Sequence, residues 1–131
     1  MATSATSAKT ITLGGPEQFY SATYRVTGRV AYPKVDASIT SALSDRNRPS
    51  THSWKSWRMR LQRQTQVAPG QPSEWATQRT ETGYVHDASP SNRTFGDFTR
   101  NTNRAFRLVV DFYNDNDHQV HSFNITTGNF Y

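Results

Sequence analysis

The residues best suited to chemistry sit in one run, Trp54-Lys55-Ser56-Trp57-Arg58-Met59-Arg60-Leu61-Gln62-Arg63. Side chains alternate across an extended strand, so this run buries Trp57, Met59 and Leu61 on one side and presents Ser56, Arg58, Arg60 and Gln62 on the other. Two guanidiniums on the same side stand about 7 Å apart, from two residues at roughly 3.3 Å each, which matches successive phosphates along a nucleic-acid strand. A preceding run adds Ser38 and Thr40 on one parity, with Asp36 beside them. Such a platform suits single-stranded or hairpin RNA, with arginine on phosphates and short polar side chains against bases. An ordinary solvated strand face is written with the same letters.

Other chemistry is less well supported. His118 and His121 stand beside Asp115 and Asp117. A hydrated loop of Asx residues fits them equally, and no third strong ligand follows at a fixed spacing, so neither a metal nor a cofactor is expected. Glu81 and His86 have the types of an acid and base pair for a small basic nuclease, but no nucleophile or phosphate-loop motif accompanies them. No enzyme is expected. The chain contains no cysteine, which removes disulfide frameworks, thiolate zinc sites and thiol nucleophiles together.

The 131 residues predict one domain, and the formal charge of +5 favours an anionic partner. Of the 15 basic residues twelve are Arg, the residue better suited to phosphate forks and base stacking. A GC-rich genome would produce the same bias. Hydrophobic residues make up only 34% of the chain, so the core should be thin, although 12% aromatic residues bury large areas each. A thin core predicts that a second copy shares it. No window approaches eighteen consecutive apolar residues, the length of a membrane-spanning helix. Met1 to Thr10 holds no apolar signal region, so a cytosolic product or a processed chain is expected.

These elements must position the candidate residues. Residues 1–9 read as a Ser/Thr/Ala arm. Thr10 to Leu13 alternates into a turn at Gly14-Gly15-Pro16, the start of an N-terminal β-hairpin. Further strands are expected over Phe19 to Tyr32, Lys34 to Thr40, Trp57 to Gln62 and Trp75 to Val85, with loops at Ser44 to Ser53 and Val67 to Ser73. Residues 10–98 thus make an antiparallel sheet of about five strands with one apolar face. Residues 99–131 are expected to supply its cover. From Thr99, an N-cap at Asn101, Thr102 or Asn103 precedes Phe106, Val109, Val110 and Tyr113 at helical spacing, although Phe106, Leu108, Val110 and Phe112 also alternate. The helical reading is taken, with a short second element at Val120 to Ile125, giving an α+β fold.

The order of these elements resembles the coat protein of single-stranded RNA bacteriophages, the levivirus group. The similarity rests on Ala8 to Gly15 as first strand and hairpin turn, and on Lys34 to Thr40, the Arg/Asn loop at Asp45 to Arg48 and Trp57 to Gln62 as central strands. It continues through Thr99 to Tyr113 as the start of a long helix and Gly128-Asn129-Phe130-Tyr131 as the ending. The resemblance implies a homodimer in which two C-terminal helices pack on one sheet face of the partner. Trp57, Met59, Leu61, Phe106, Val109, Val110 and Tyr113 would form the dimer core. It further implies icosahedral assembly in the bacterial cytoplasm and packaging of a single-stranded RNA genome in the virion. An RNA hairpin bound on the inner face would also repress replicase translation. Ser38, Thr40, Ser56, Arg58 and Arg60 match the family's RNA-facing positions, and Tyr84 is the candidate for its base-stacking tyrosine.

Two other classes fit the letters. One is a secreted β-sandwich binding module for carbohydrate or a protein surface. The other is the nuclease built on Glu81 and His86. RNA-laden particles on purification favour the coat protein, a small RNA-free species the module, and RNA degradation lost with Glu81 or His86 the nuclease.

Overall fold

The computed structural model describes residues 2–13, 20–44, 53–65, 74–101, 103–113 and 122–131. Alternating sequence produces strands throughout: Ser4–Leu13 (β1), Tyr20–Ala31 (β2), Lys34–Leu43 (β3), Lys55–Gln64 (β4), Trp75–Val85 (β5), Ser91–Phe95 (β6), Phe106–Tyr113 (β7) and Phe123–Thr126 (β8). They form two antiparallel four-stranded sheets. Sheet A has the order β1-β2-β3-β6, and sheet B has β5-β4-β7-β8. The chain passes from A to B after β3, returns for β6 and goes back to B for β7.

This corrects the α+β expectation of one sheet of about five strands under two C-terminal helices. No helix occurs among the described residues, and the predicted helical segment is β7 followed by β8. The period-2 set decides the matter. Phe106, Leu108, Val110 and Phe112 are all buried, whereas Tyr113, which the helical face would bury, is 41% exposed. Valine and aromatic residues also favour a pleated surface over a helix. The expected N-terminal arm is a strand from Ser4 onward, paired with β2 from Ser4↔Arg29 to Leu13↔Tyr20. The turn at Gly14 to Pro16, the loops at Asp45 to Arg48 and Val67 to Ser73, and the Asp115, Asp117, His118 and His121 cluster lie outside the described residues.

The apolar faces of the sheets close on each other. Ala22, Tyr24, Val26, Val35, Ala37 and Ile39 of sheet A meet Trp57, Met59, Leu61, Leu108, Val110 and Phe112 of sheet B in one buried cluster. The roof over Trp57, Met59 and Leu61 is therefore the chain's own first sheet, where the sequence assigned a partner's helices. Phe106 and Val110 belong to the same internal core, while Val109 and Tyr113 lie on the opposite side of β7. Large rings compensate for the low apolar fraction: Phe112 stacks on Phe123 with centroids 4.7 Å apart, and Tyr24 lies 5.4 Å from Phe112 while its hydroxyl donates to the Ser53 carbonyl at 2.7 Å.

The tail after β8 completes the core. Phe106 and Phe130 exchange backbone hydrogen bonds at 2.7 and 3.0 Å, and their rings stack with centroids 5.9 Å apart. Phe130 enters over Gly28, where any Cβ would overlap its Cε1 and Cζ and would lie 3.1 Å from Leu108 Cδ1. A glycine is needed there because a ring occupies the side-chain position. Phe130→Ala is expected to cost about 3–5 kcal/mol of stability, measured by urea unfolding; a loss below about 1 kcal/mol would show that the tail does not seal the core.

Candidate nucleic-acid interface

Burial of Trp57, Met59 and Leu61 turns the alternate residues of β4 outward, and the registers of β5 and β7 set what stands beside them. Tyr84, Ser56 and Tyr113 form one row across three strands, and Thr82, Arg58 and Asp111 form the next, with Asn124 of β8 at its end. Arg60 follows between Thr80 and Val109. Beyond a bulge between Leu61 and Gln62, Gln62 then stands between Thr77 and Arg107.

Tyr84 and Tyr113 are the large hydrophobic residues most exposed among those described, at 57% and 41%. They flank Ser56 on neighbouring strands, so their backbones are roughly 9.6 Å apart, two strand spacings. A flat base fits over such a row. Tyr84 is backed by Trp54, edge-on at 5.6 Å, and Trp54 also contacts His86 at 6.0 Å. From beneath, the Ser91 hydroxyl donates to the Tyr84 carbonyl and accepts the Trp57 indole N–H at 3.1 Å.

Three guanidiniums lie on the same surface. Arg58 is exposed and has no carboxylate partner among the described residues. Arg60 Nη2 lies 3.5 Å from Asp111 Oδ2, and the other oxygen of that carboxylate accepts from Asn124 at 2.9 Å. Arg107 lies over the Trp75 ring at 4.3 Å and donates from Nε to Gln62 Oε1 at 2.8 Å, while Gln62 donates to Thr77 at 3.2 Å. Burial, with the like charge of Arg60 added, draws the Arg107 guanidinium below its usual range. It stays cationic at neutral pH. One carboxylate among three guanidiniums leaves this face positive.

The structure thus brings together Ser56, Arg58, Arg60, Gln62 and Tyr84. It does not bring Ser38 and Thr40 to them. Those residues lie on the outer face of sheet A, beside Thr27 and Arg25, on the far side of the core. The expectation of one platform assumed that the two central strands neighbour each other in one sheet, whereas the chain changes sheets between them. Glu81 and His86 are also apart, five residues along an extended strand and therefore on opposite faces, roughly 16 Å from each other. His86 Nδ1 instead accepts the Ala88 amide at 3.2 Å. Among the described residues no group of acidic, histidine or cysteine side chains is arranged to hold a metal.

Sequence reasoning placed Tyr113 in a dimer core, missed Arg107 and Asp111, and gave no role on this face to the two tryptophans at its ends, Trp54 and Trp75. The signal for the first three was the odd-numbered parity of β7, which opposes the buried Phe106, Leu108, Val110 and Phe112. Ser91→Ala would leave the Trp57 indole N–H buried without an acceptor and should cost about 1–3 kcal/mol. Urea unfolding measures this, and a change under about 0.5 kcal/mol would mean that Ser91 does not fix this end of the face. Comparison with protein-family models, curated proteins and solved structures finds no match for this chain.

Proposed function

We propose that the chain binds single-stranded RNA across the outer face of sheet B. The observation that carries this reading is the sharing of one surface by the exposed pair Tyr84 and Tyr113 with Arg58, Arg60 and Arg107. Tyrosine rings stack on unpaired bases, which a duplex keeps stacked on each other, and guanidiniums beside them take the phosphates. Ser56 supplies a short hydrogen-bonding group between the tyrosines, while Gln62, buried and bonded to Arg107 and Thr77, holds Arg107 in place. From Ser56 to Gln64 the face runs roughly 26 Å, enough for about four nucleotides, the short end of single-strand sites.

Charge separates this reading from a neutral carbohydrate, which would stack on the tyrosines and leave the guanidiniums unused. The resemblance to RNA-phage coat proteins extends it to genome packaging in a shell of copies. That extension rests on the order of strands along the chain alone, since β3 and β4 lie in different sheets and strands stand where that family has its helices, and its observation is RNA-laden particles of megadalton size on expression.

Binding of a uridine-rich ten-nucleotide RNA, followed by fluorescence anisotropy from 50 to 200 mM salt, tests the proposal. Tyr84→Ala and Tyr113→Ala should each weaken binding by about 1–3 kcal/mol, and Arg58→Ala should flatten the salt slope by about 0.7. Equal affinity for duplex RNA, or binding of a neutral glycan and no RNA, would overturn it.

A further inference from the structure

The opposite face of the sandwich is chemically different. The outer side of sheet A carries no exposed aromatic residue among those described and is rich in hydroxyls. Thr6 and Thr27 share a hydrogen bond at 2.9 Å, as do Thr10 and Thr23 at 2.8 Å. Across β2, β3 and β6 the registers set two consecutive rows, Arg29, Asp36 and Thr94, then Thr27, Ser38 and Asn92. These six residues, together with Ala37 and Arg93, line an open cleft of about 280 Å³.

Arg93 is held against Trp57 and the Asn92 and Thr82 carbonyls, which leaves Arg29 and Asp36 as the charges of this cleft open to a ligand. Arg29 stands directly opposite Asp36, yet no ion pair joins them among the described residues. Asp36 Oδ1 instead accepts the Thr94 hydroxyl at 2.9 Å, leaving Oδ2 as an acceptor. Opposite charges facing each other across two strands gain little by pairing in water, so a ligand that meets both groups at once competes with no strong internal contact. It must offer an anionic group to Arg29 and hydrogen-bond donors to Asp36 a few ångströms away. Inorganic phosphate carries its P–OH donors on the same atom as its charge, so donating to Asp36 brings that charge against the carboxylate. A neutral sugar fails the first.

We infer that this cleft is a site for an acidic sugar unit of the hexuronate class. The sugar carboxylate takes the Arg29 guanidinium, in the two-pronged geometry that suits it. Ring hydroxyls donate to Asp36, and Asn92, Ser38 and Thr27 hydrogen-bond the remainder. The volume lies just below the roughly 300 Å³ at which ordinary ligand pockets begin, so the cleft takes one ring at a time. The site lies on the other sheet from the RNA face and does not depend on it.

Amide chemical shifts of the labelled full chain, titrated with methyl glucuronide, methyl glucoside, acetate or alanine, test this inference. Methyl glucuronide should give saturable shifts at residues 27–29, 36–38 and 92–94, with an affinity at least about ten-fold above that for the other three compounds. Arg29→Ala should remove this selectivity, Arg29→Lys should retain part of it, and Arg25→Ala, on the same face outside the cleft, should leave it intact. The unchanged remainder of each spectrum reports that the variant is folded. Acetate or alanine binding as tightly as the glucuronide, no saturable shift in the cleft, or an Arg29→Ala variant that binds like the parent would each overturn the assignment.

Discussion

The closure of one apolar sheet face on the other governs everything else in this molecule. Eight strands with few aliphatic residues hold together because Tyr24, Trp57, Phe106, Phe112 and Phe130 fill the space between the sheets. That burial fixes the register of each strand, since a slip by one residue would send every inward side chain to solvent. The surface chemistry follows from it. With Trp57, Met59 and Leu61 inside, Arg58 and Arg60 face outward; with Phe106, Leu108, Val110 and Phe112 inside, Arg107, Asp111 and Tyr113 join them. The candidate interface is the reverse side of the core pattern.

The same closure divides the arginines into two populations. Arg93 lies over Trp57 at 5.0 Å, Arg79 over Phe98 at 5.0 Å and Arg63 over Phe106 at 4.3 Å, so guanidinium planes cap the aromatic core at its margins. Arg63 is buried, with its pKa drawn down by desolvation, and donates to the Tyr32 hydroxyl at 3.2 Å. Arg104 donates to the Gln64 carbonyl at 2.7 Å. These side chains serve the fold. Arg58 on one sheet and Arg25 and Arg29 on the other have no such partner among the described residues, while Arg60 and Arg107 reach the outer face of sheet B but also meet Asp111, Trp75 and Gln62, so the net charge overstates how much of the chain's basicity is available for binding.

Local pattern was legible and long-range pairing was not. The alternation of Trp57, Met59 and Leu61 against Arg58 and Arg60 identified the central strand and its outward face, and Trp75 to Val85 is a strand with those ends. β7 is ambiguous in sequence because Phe106, Val110 and their neighbours satisfy both periods, and the burial of Leu108 and Phe112 with the exposure of Tyr113 separates them. β6 escaped notice because Ser91 to Phe95 is five residues long and ends in its single apolar side chain. Nothing local reveals that β3 pairs with β6 while β4 pairs with β7. For that reason the sequence pattern joins Ser38 and Thr40 to a face from which the whole thickness of the core separates them.

The central claim is that the tyrosine and arginine surface of sheet B receives an unpaired RNA strand. Its most direct test is a residue-resolved NMR map of the labelled chain as an oligouridine is added. The account requires saturable shifts along Ser56, Arg58, Tyr84 and Tyr113, with Thr27, Ser38 and Thr40 unmoved. Shifts confined to the hydroxyl-rich sheet, or a spectrum indifferent to RNA, would contradict it.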